Sequence, residues 1–222
     1  MRDFDAPSPP EPVSAVDLGL VERLRAGDEA AFLALVDQHQ APMLRLARMY
    51  VSTAAVAEEV VQDAWLGILK GLDGFQGRSA LRTWMYRILV NIAKTRGQRE
   101  GRSVPFSSAV GDDDAQPAVA DSWFQRAGEG WPGHWSTLPN DWRGIPEDRL
   151  LAAETLAVIG QTLSTLPPMQ AEVIRLRDIQ GWSSEEVRNV LDVSETNQRV
   201  LLHRARSRVR SALDEYLESG VA

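Results

Sequence analysis

The sequence predicts an all-α protein, two small helical domains joined by a long irregular linker. Three observations carry that expectation. Apolar residues recur at helical spacing in two blocks, 14–100 and 147–219, with Ser and Asp placed where helix N-caps belong. Between them, 101–146 has glycine, proline and serine throughout and no helical period. Charge is sorted the same way. Arg78 to Arg102 holds seven basic residues against one acid, whereas Asp112 to Asp148 holds eight acids against two arginines, so most of the net charge of −7 falls between Asp112 and Asp148.

Composition narrows the class. A chain of 222 residues fits one domain or two, and 44% hydrophobic residues suffices for ordinary cores. The absence of cysteine excludes disulfides and thiolate metal sites, and three scattered histidines (His39, His134, His203) argue against zinc. No apolar run approaches membrane-spanning length, and the acidic, proline-rich start does not resemble a signal peptide. The expectation is a soluble cytoplasmic protein with no membrane insertion, no metal and no cofactor.

In chain order, 1–13 carries four prolines and few apolar residues and is expected to be a disordered tail. Ser14 with Asp17 starts a short helix to Ala26. Asp28 caps a second, with Phe32, Leu35, Val36 and His39 on one side, and Pro42 is expected to kink or restart it before Met43 to Val51. The third helix, Ala54 to Lys70, has an apolar stripe of Val60, Val61, Ala64, Trp65, Ile68 and Leu69, with Glu58, Glu59, Gln62 and Asp63 on the other side. Gly71 to Gly77 is a turn-rich loop containing Phe75. Ser79 then caps a fourth helix with Leu81, Trp84, Met85, Ile88 and Ile92 inward, leaving Arg82, Tyr86, Arg87 and Lys94 nearer the outside. A basic face with an aromatic among the charges suits phosphate contact and base stacking. The linker run DSWFQRAGEGWPGHWSTLPNDW holds four of the seven tryptophans, unusual for a low-complexity tether. A helix from Glu147 to about Ser164 follows, and Pro167-Pro168 starts another.

The stretch Trp182 to Arg210 carries the strongest signal. Ser183 and Glu186 form a capping box, and Val187, Val190 and Leu191 share one face of a short helix. Asp192 and Val193 make a turn, and Ser194 caps a longer helix with the seam Leu202, Ala205, Val209 and Leu213. Its opposite face shows Arg199, His203, Arg206 and Arg210, and Arg199 to Arg210 holds five arginines and no acid. A short capped helix, a tight turn and a basic helix are the pattern of helix-turn-helix DNA binding.

Two sequence runs carry a family resemblance. AEEVVQDAWLGILKGLDGFQG followed by LRTWMYRILVNIAKTRGQR is similar to the second conserved region of bacterial extracytoplasmic-function sigma factors, the smallest initiation factors of the sigma-70 type. LPPMQAEVIRLRDIQGWSSEEVRNVLDVSETNQRVLLHRARSRVR resembles their fourth region. The resemblance implies a non-enzymatic initiation factor that binds core RNA polymerase, directs it to promoter DNA and helps open the duplex, with an anti-sigma factor as a further partner and no small-molecule substrate. Residue by residue, it places Glu58, Glu59, Gln62 and Asp63 at the polymerase clamp. It places Asp73, Phe75, Gln76 and Arg78 in the loop that captures a flipped minus-ten base, and Arg82, Arg87, Asn91 and Lys94 on the helix that tracks the same DNA strand. Glu195, Thr196, Asn197 and Arg199, with His203 and Arg206, would face the minus-35 element. Where the family commonly carries a Gly-Thr-Val-Lys-like run, this chain has Thr196-Asn197-Gln198-Arg199, so promoter sequence does not carry over.

Two other classes compete: a helix-turn-helix regulator that binds DNA without polymerase, and an interaction protein that sequesters a partner through the acidic linker. The first usually needs a dimer, and no dimerisation helix is evident. The second leaves both basic helices unexplained.

Overall fold

The computed structural model describes residues 13–101 and 153–219. The tail before Val13, the tryptophan-rich linker after Gly101 and the start of the helix expected from Glu147 lie outside the described residues. Every regular element among the described residues is helical. They fall into two compact units, one built on the helices of 13–101 and the other on those of 153–219.

In the first unit, α1 (Ala15–Arg25), α2 (Glu29–Ala47) and α3 (Ala54–Gly71) all begin on side-chain caps. Ser14 Oγ accepts from the Asp17 N–H at 3.0 Å, Asp28 from Ala31 at 3.0 Å and Thr53 from Val56 at 3.2 Å. Each satisfies a donor that the helix cannot. The Ala31 N–H and the Arg23 guanidinium, 2.8 Å away, hold the Asp28 carboxyl below the usual carboxylate range.

Helix α2 runs on through Pro42 without restarting. An interior proline costs about 3 kcal/mol, and the fully buried Met43, Leu46 and Ala47 just beyond it supply packing that offsets such a loss. On α3, Val60, Val61, Ala64, Trp65 and Ile68 are buried as expected, but Leu69 is 42% exposed. Gly71 closes α3 where a Cβ would sit 2.9 Å from the Trp84 ring, so a larger residue would have to push that ring aside.

A 3-10 turn (Leu72–Gly74) leads through Phe75 to α4 (Leu81–Arg99). Ser79 is not its cap. The N-cap residue is Ala80, which offers no side chain, and the Leu81 N–H donates instead to Asp17 of α1 at 3.0 Å. The buried face of α4 is also rotated from the expected one: Leu81, Met85, Leu89, Val90 and Ala93 are buried, while Trp84, Ile88 and Ile92 are half-buried. Tyr86, expected among the outer charges, is fully buried, with its hydroxyl 3.3 Å from His39 Nδ1 and the two rings edge to face. Helices α3 and α4 both pack on α2 and on each other.

In the second unit, α5 (Ala153–Thr165) is followed by α6 (Pro168–Ile174), with Pro168 in the first turn where no N–H is needed. Helix α6 runs into a π-type turn, Arg175–Ile179. Gly181, at φ +67°, then redirects the chain into α7 (Ser184–Leu191) and α8 (Glu195–Ser219). The core joins Leu163, Leu166, Ala171, Ile174 and Ala205, with Ile159, Leu202 and Val209 against it. Arg177 donates to the Trp182 carbonyl, and Tyr216 to Glu154 at 2.8 Å, tying α8 to α5.

Candidate nucleic-acid interface

The helix-turn-helix forms as its caps dictate. Ser183 N–H donates to Glu186 at 2.8 Å, and Glu186 N–H donates back to Ser183 Oγ at 3.2 Å. Such a reciprocal box at the mouth of a short helix is worth about 1 kcal/mol. Asp192 adopts φ 58°, the left-handed conformation that Asp tolerates better than most residues, and turns the chain sharply. Ser194 then caps α8 through the Asn197 N–H at 3.2 Å. Ser184 Oγ donates to the buried Gln198 at 2.8 Å, which fixes the rotation of α8 against α7.

That rotation sets what α8 presents. Glu195, Thr196, Arg199, Val200 and His203 are exposed and Asn197 is half-exposed, whereas Gln198 and Leu201 point inward. Arg199 pairs with Glu195 one turn back at 3.0 Å, both well exposed. An exposed pair of this kind is worth only about 0.3–0.5 kcal/mol, so the guanidinium is easily drawn to another acceptor. Arg206 differs. It makes two hydrogen bonds to the Asp178 carboxylate, at 2.8 and 2.7 Å, and that partner raises its pKa further. The arginine row is therefore not one uniform face, because Arg206 is already committed within its own unit. Val200, 39% exposed among polar neighbours, was not singled out from sequence; its apolar side chain can contact a thymine methyl in a major groove.

In the first unit, the loop between α3 and α4 exposes Asp73, Gln76 and Arg78. Phe75 does not share that exposure. It is 8% exposed and its ring lies 5.2 Å from that of Trp84, so it anchors the loop from beneath. On α4, Arg87 and Asn91 are exposed and Arg82 and Lys94 half-buried. Arg87, Asn91 and Lys94 fall at i, i+4 and i+7, one stripe along the helix.

The outer face of α3 shows Glu58, Glu59, Gln62 and Asp63, all exposed, and continues into Leu66 (54%) and Leu69 (42%). Glu59 is already ion-paired with Arg96 of α4. Among the described residues no group of His, Cys, Asp and Glu could hold a metal, and no helix is long and apolar enough to cross a membrane.

The fold is that of a helical protein of two units, the second carrying a helix-turn-helix. Residues 35–103 match the family described as Sigma-70 region 2, and 156–209 match Sigma-70, region 4. The chain is 32% identical to the Escherichia coli (strain K12) ECF RNA polymerase sigma-E factor over 193 residues, 87% of this chain and 92% of that one. It is 31% identical to the RNA polymerase sigma-H factor of Pseudomonas aeruginosa, over 90% of this chain and 95% of that one. A solved structure of the Bartonella quintana sigma factor RpoE with the anti-sigma factor NepR aligns at TM-score 0.45 and 19% identity, covering 82% of this chain and 96% of that one. The chain belongs to the extracytoplasmic-function (ECF) family of RNA polymerase sigma factors.

Proposed function

We propose that this sigma factor directs core RNA polymerase to promoters by reading the minus-35 element with α8 and the minus-ten element with the α3–α4 loop and α4, and that it assists melting there. The observation that carries the reading is the capped α7–α8 hairpin, which turns Glu195, Thr196, Asn197, Arg199 and Val200 outward at the N-terminal end of the helix, the end that meets base edges in a major groove. The loop's exposed Asp73, Gln76 and Arg78 are the proposed readers of an extruded base, whose Watson–Crick edge can be read only once it leaves the stack. The stripe Arg87, Asn91 and Lys94 continues as a track for the strand's phosphates. The face of α3 with Glu58, Gln62 and Asp63 is the proposed contact for the basic clamp of core polymerase, and Leu66 and Leu69 extend it with apolar area. An anti-sigma factor, the usual regulator of this family, is the proposed second partner.

The test is transcription reconstituted from core polymerase and this protein on a panel of minus-35 variants. Arg199→Ala is expected to cost about 1–3 kcal/mol of promoter selectivity, confined to particular minus-35 base pairs. A uniform loss on every template, with a shallower salt dependence, would assign Arg199 to phosphate instead. Val200→Ala should weaken only templates with a thymine in its reach.

A further inference from the structure

The segment before the Sigma-70 region 2 match holds the α3–α4 loop at both ends. Arg25, at the last turn of α1, donates to the Leu72 carbonyl through Nε (3.1 Å) and Nη2 (2.8 Å), and through Nη2 also to the carbonyls of Phe75 (2.9 Å) and Asp73 (3.3 Å). At the far end, Asp17 of the same helix accepts the Leu81 N–H and so caps α4. Between them, Gly77 sits at φ +68° with the Val13 side chain 3.4 Å from where a Cβ would stand. Both ends of the loop are thus held by α1, which lies outside the matched region, 35–103. Arg25 is also the right residue for the task, since a guanidinium presents five donors in a rigid planar fork, whereas an ammonium has only three on a compact, freely rotating head.

We propose that α1 is a positioning element for base capture, with Arg25 and Asp17 as the positioning residues. By holding the backbone of 72–81 in the receiving conformation before DNA arrives, they remove the ordering cost that a free loop would meet on binding. Neither residue need touch DNA: Asp73, Gln76 and Arg78 do the reading and α1 keeps them in register. This inference rests on the loop being the site of minus-ten capture.

The experiment measures binding of holoenzyme to a fluorescent single-stranded oligonucleotide carrying its preferred minus-ten sequence, and to the same strand with an abasic position where the base is extruded. The ratio of the two affinities reports capture alone. Arg25→Lys, which keeps the charge and loses the fork, and Asp17→Ala are each expected to shrink that ratio about fivefold or more. Core-polymerase affinity and binding to duplex minus-35 DNA should stay at wild-type level. An unchanged ratio, or equal loss on both strands, overturns the positioning role. A wild-type protein that binds both strands equally removes the capture reading itself, and the inference with it.

Discussion

At His39 the first unit carries a built-in sensitivity to acid. The imidazole is half-buried against Tyr86, and both its desolvation and the nearby Arg82 charge hold its pKa below the ordinary value. The folded state therefore binds a proton less readily than the unfolded chain does. Stability is fully present above the unfolded pKa of about 6.5 and is lost as pH falls through that value toward the lowered folded one. Thermal melts of the full chain should show Tm falling between about pH 7.5 and pH 5.5, and His39→Gln should flatten that slope. An equal slope in the variant would show that another group carries the titration. Asp28, held low by Ala31 and Arg23, contributes over a different window: its share is lost only below the usual carboxylate range. The same residue scale separates the arginines of α8. Arg199 keeps a loosely held exposed partner, while Arg206 is bound twice by Asp178. Sequence spacing placed both on one outer face, and only the coordinates of Asp178, 28 residues earlier, distinguish them.

At the scale of elements, α3 illustrates how one face can hold two kinds of acid. Glu59 is ion-paired with Arg96 and so links α3 to α4, whereas the α3 face on either side turns Glu58, Gln62 and Asp63 to solvent. Asp63→Lys is expected to weaken binding to core polymerase with melting unchanged. Glu59→Lys should lower stability by about 0.5–1 kcal/mol as well, because it places a cation against Arg96. Matching core affinities for Asp63→Lys and wild type would remove α3 as the polymerase contact. Much of this architecture was legible beforehand. Ser14, Asp28, Ser183 and Ser194 cap the helices they precede, because an N-cap is a local bond across three residues. The cap of α4 was not legible, since Asp17 lies 64 residues from Leu81 and nothing in the local pattern announces it. Ser79 looked suitable only because a sequence window cannot see α1. Tyr86 and Phe75 went the same way. An aromatic flanked by arginines or glycines reads as surface until the helices it packs against are in place. Arg25 left no sequence signal, because its partners are backbone carbonyls, which carry no residue identity.

At the scale of the whole molecule, the chain distributes its charge to suit a large partner. Basic residues gather on α4 and α8, and the acids between Asp112 and Asp148 dominate the net charge of −7. Replacing Ser122 to Asp141 by a Gly/Ser chain of equal length keeps the reach between the units. It should leave promoter binding by holoenzyme largely intact and impair open-complex formation or early RNA synthesis; normal transcription by the swapped protein would show that the acids and tryptophans are dispensable. The deeper question is whether the two proposed DNA-facing surfaces work only through polymerase. A helix-turn-helix regulator would protect its site unaided, whereas a sigma factor of this family places its two surfaces on DNA as a subunit of holoenzyme. Footprinting of promoter DNA with this protein alone, with core polymerase alone and with both decides it most directly. The predicted result is protection of the minus-35 and minus-ten elements only when both are present. Tight, sequence-specific protection by the protein alone, unchanged by core polymerase, would contradict the account.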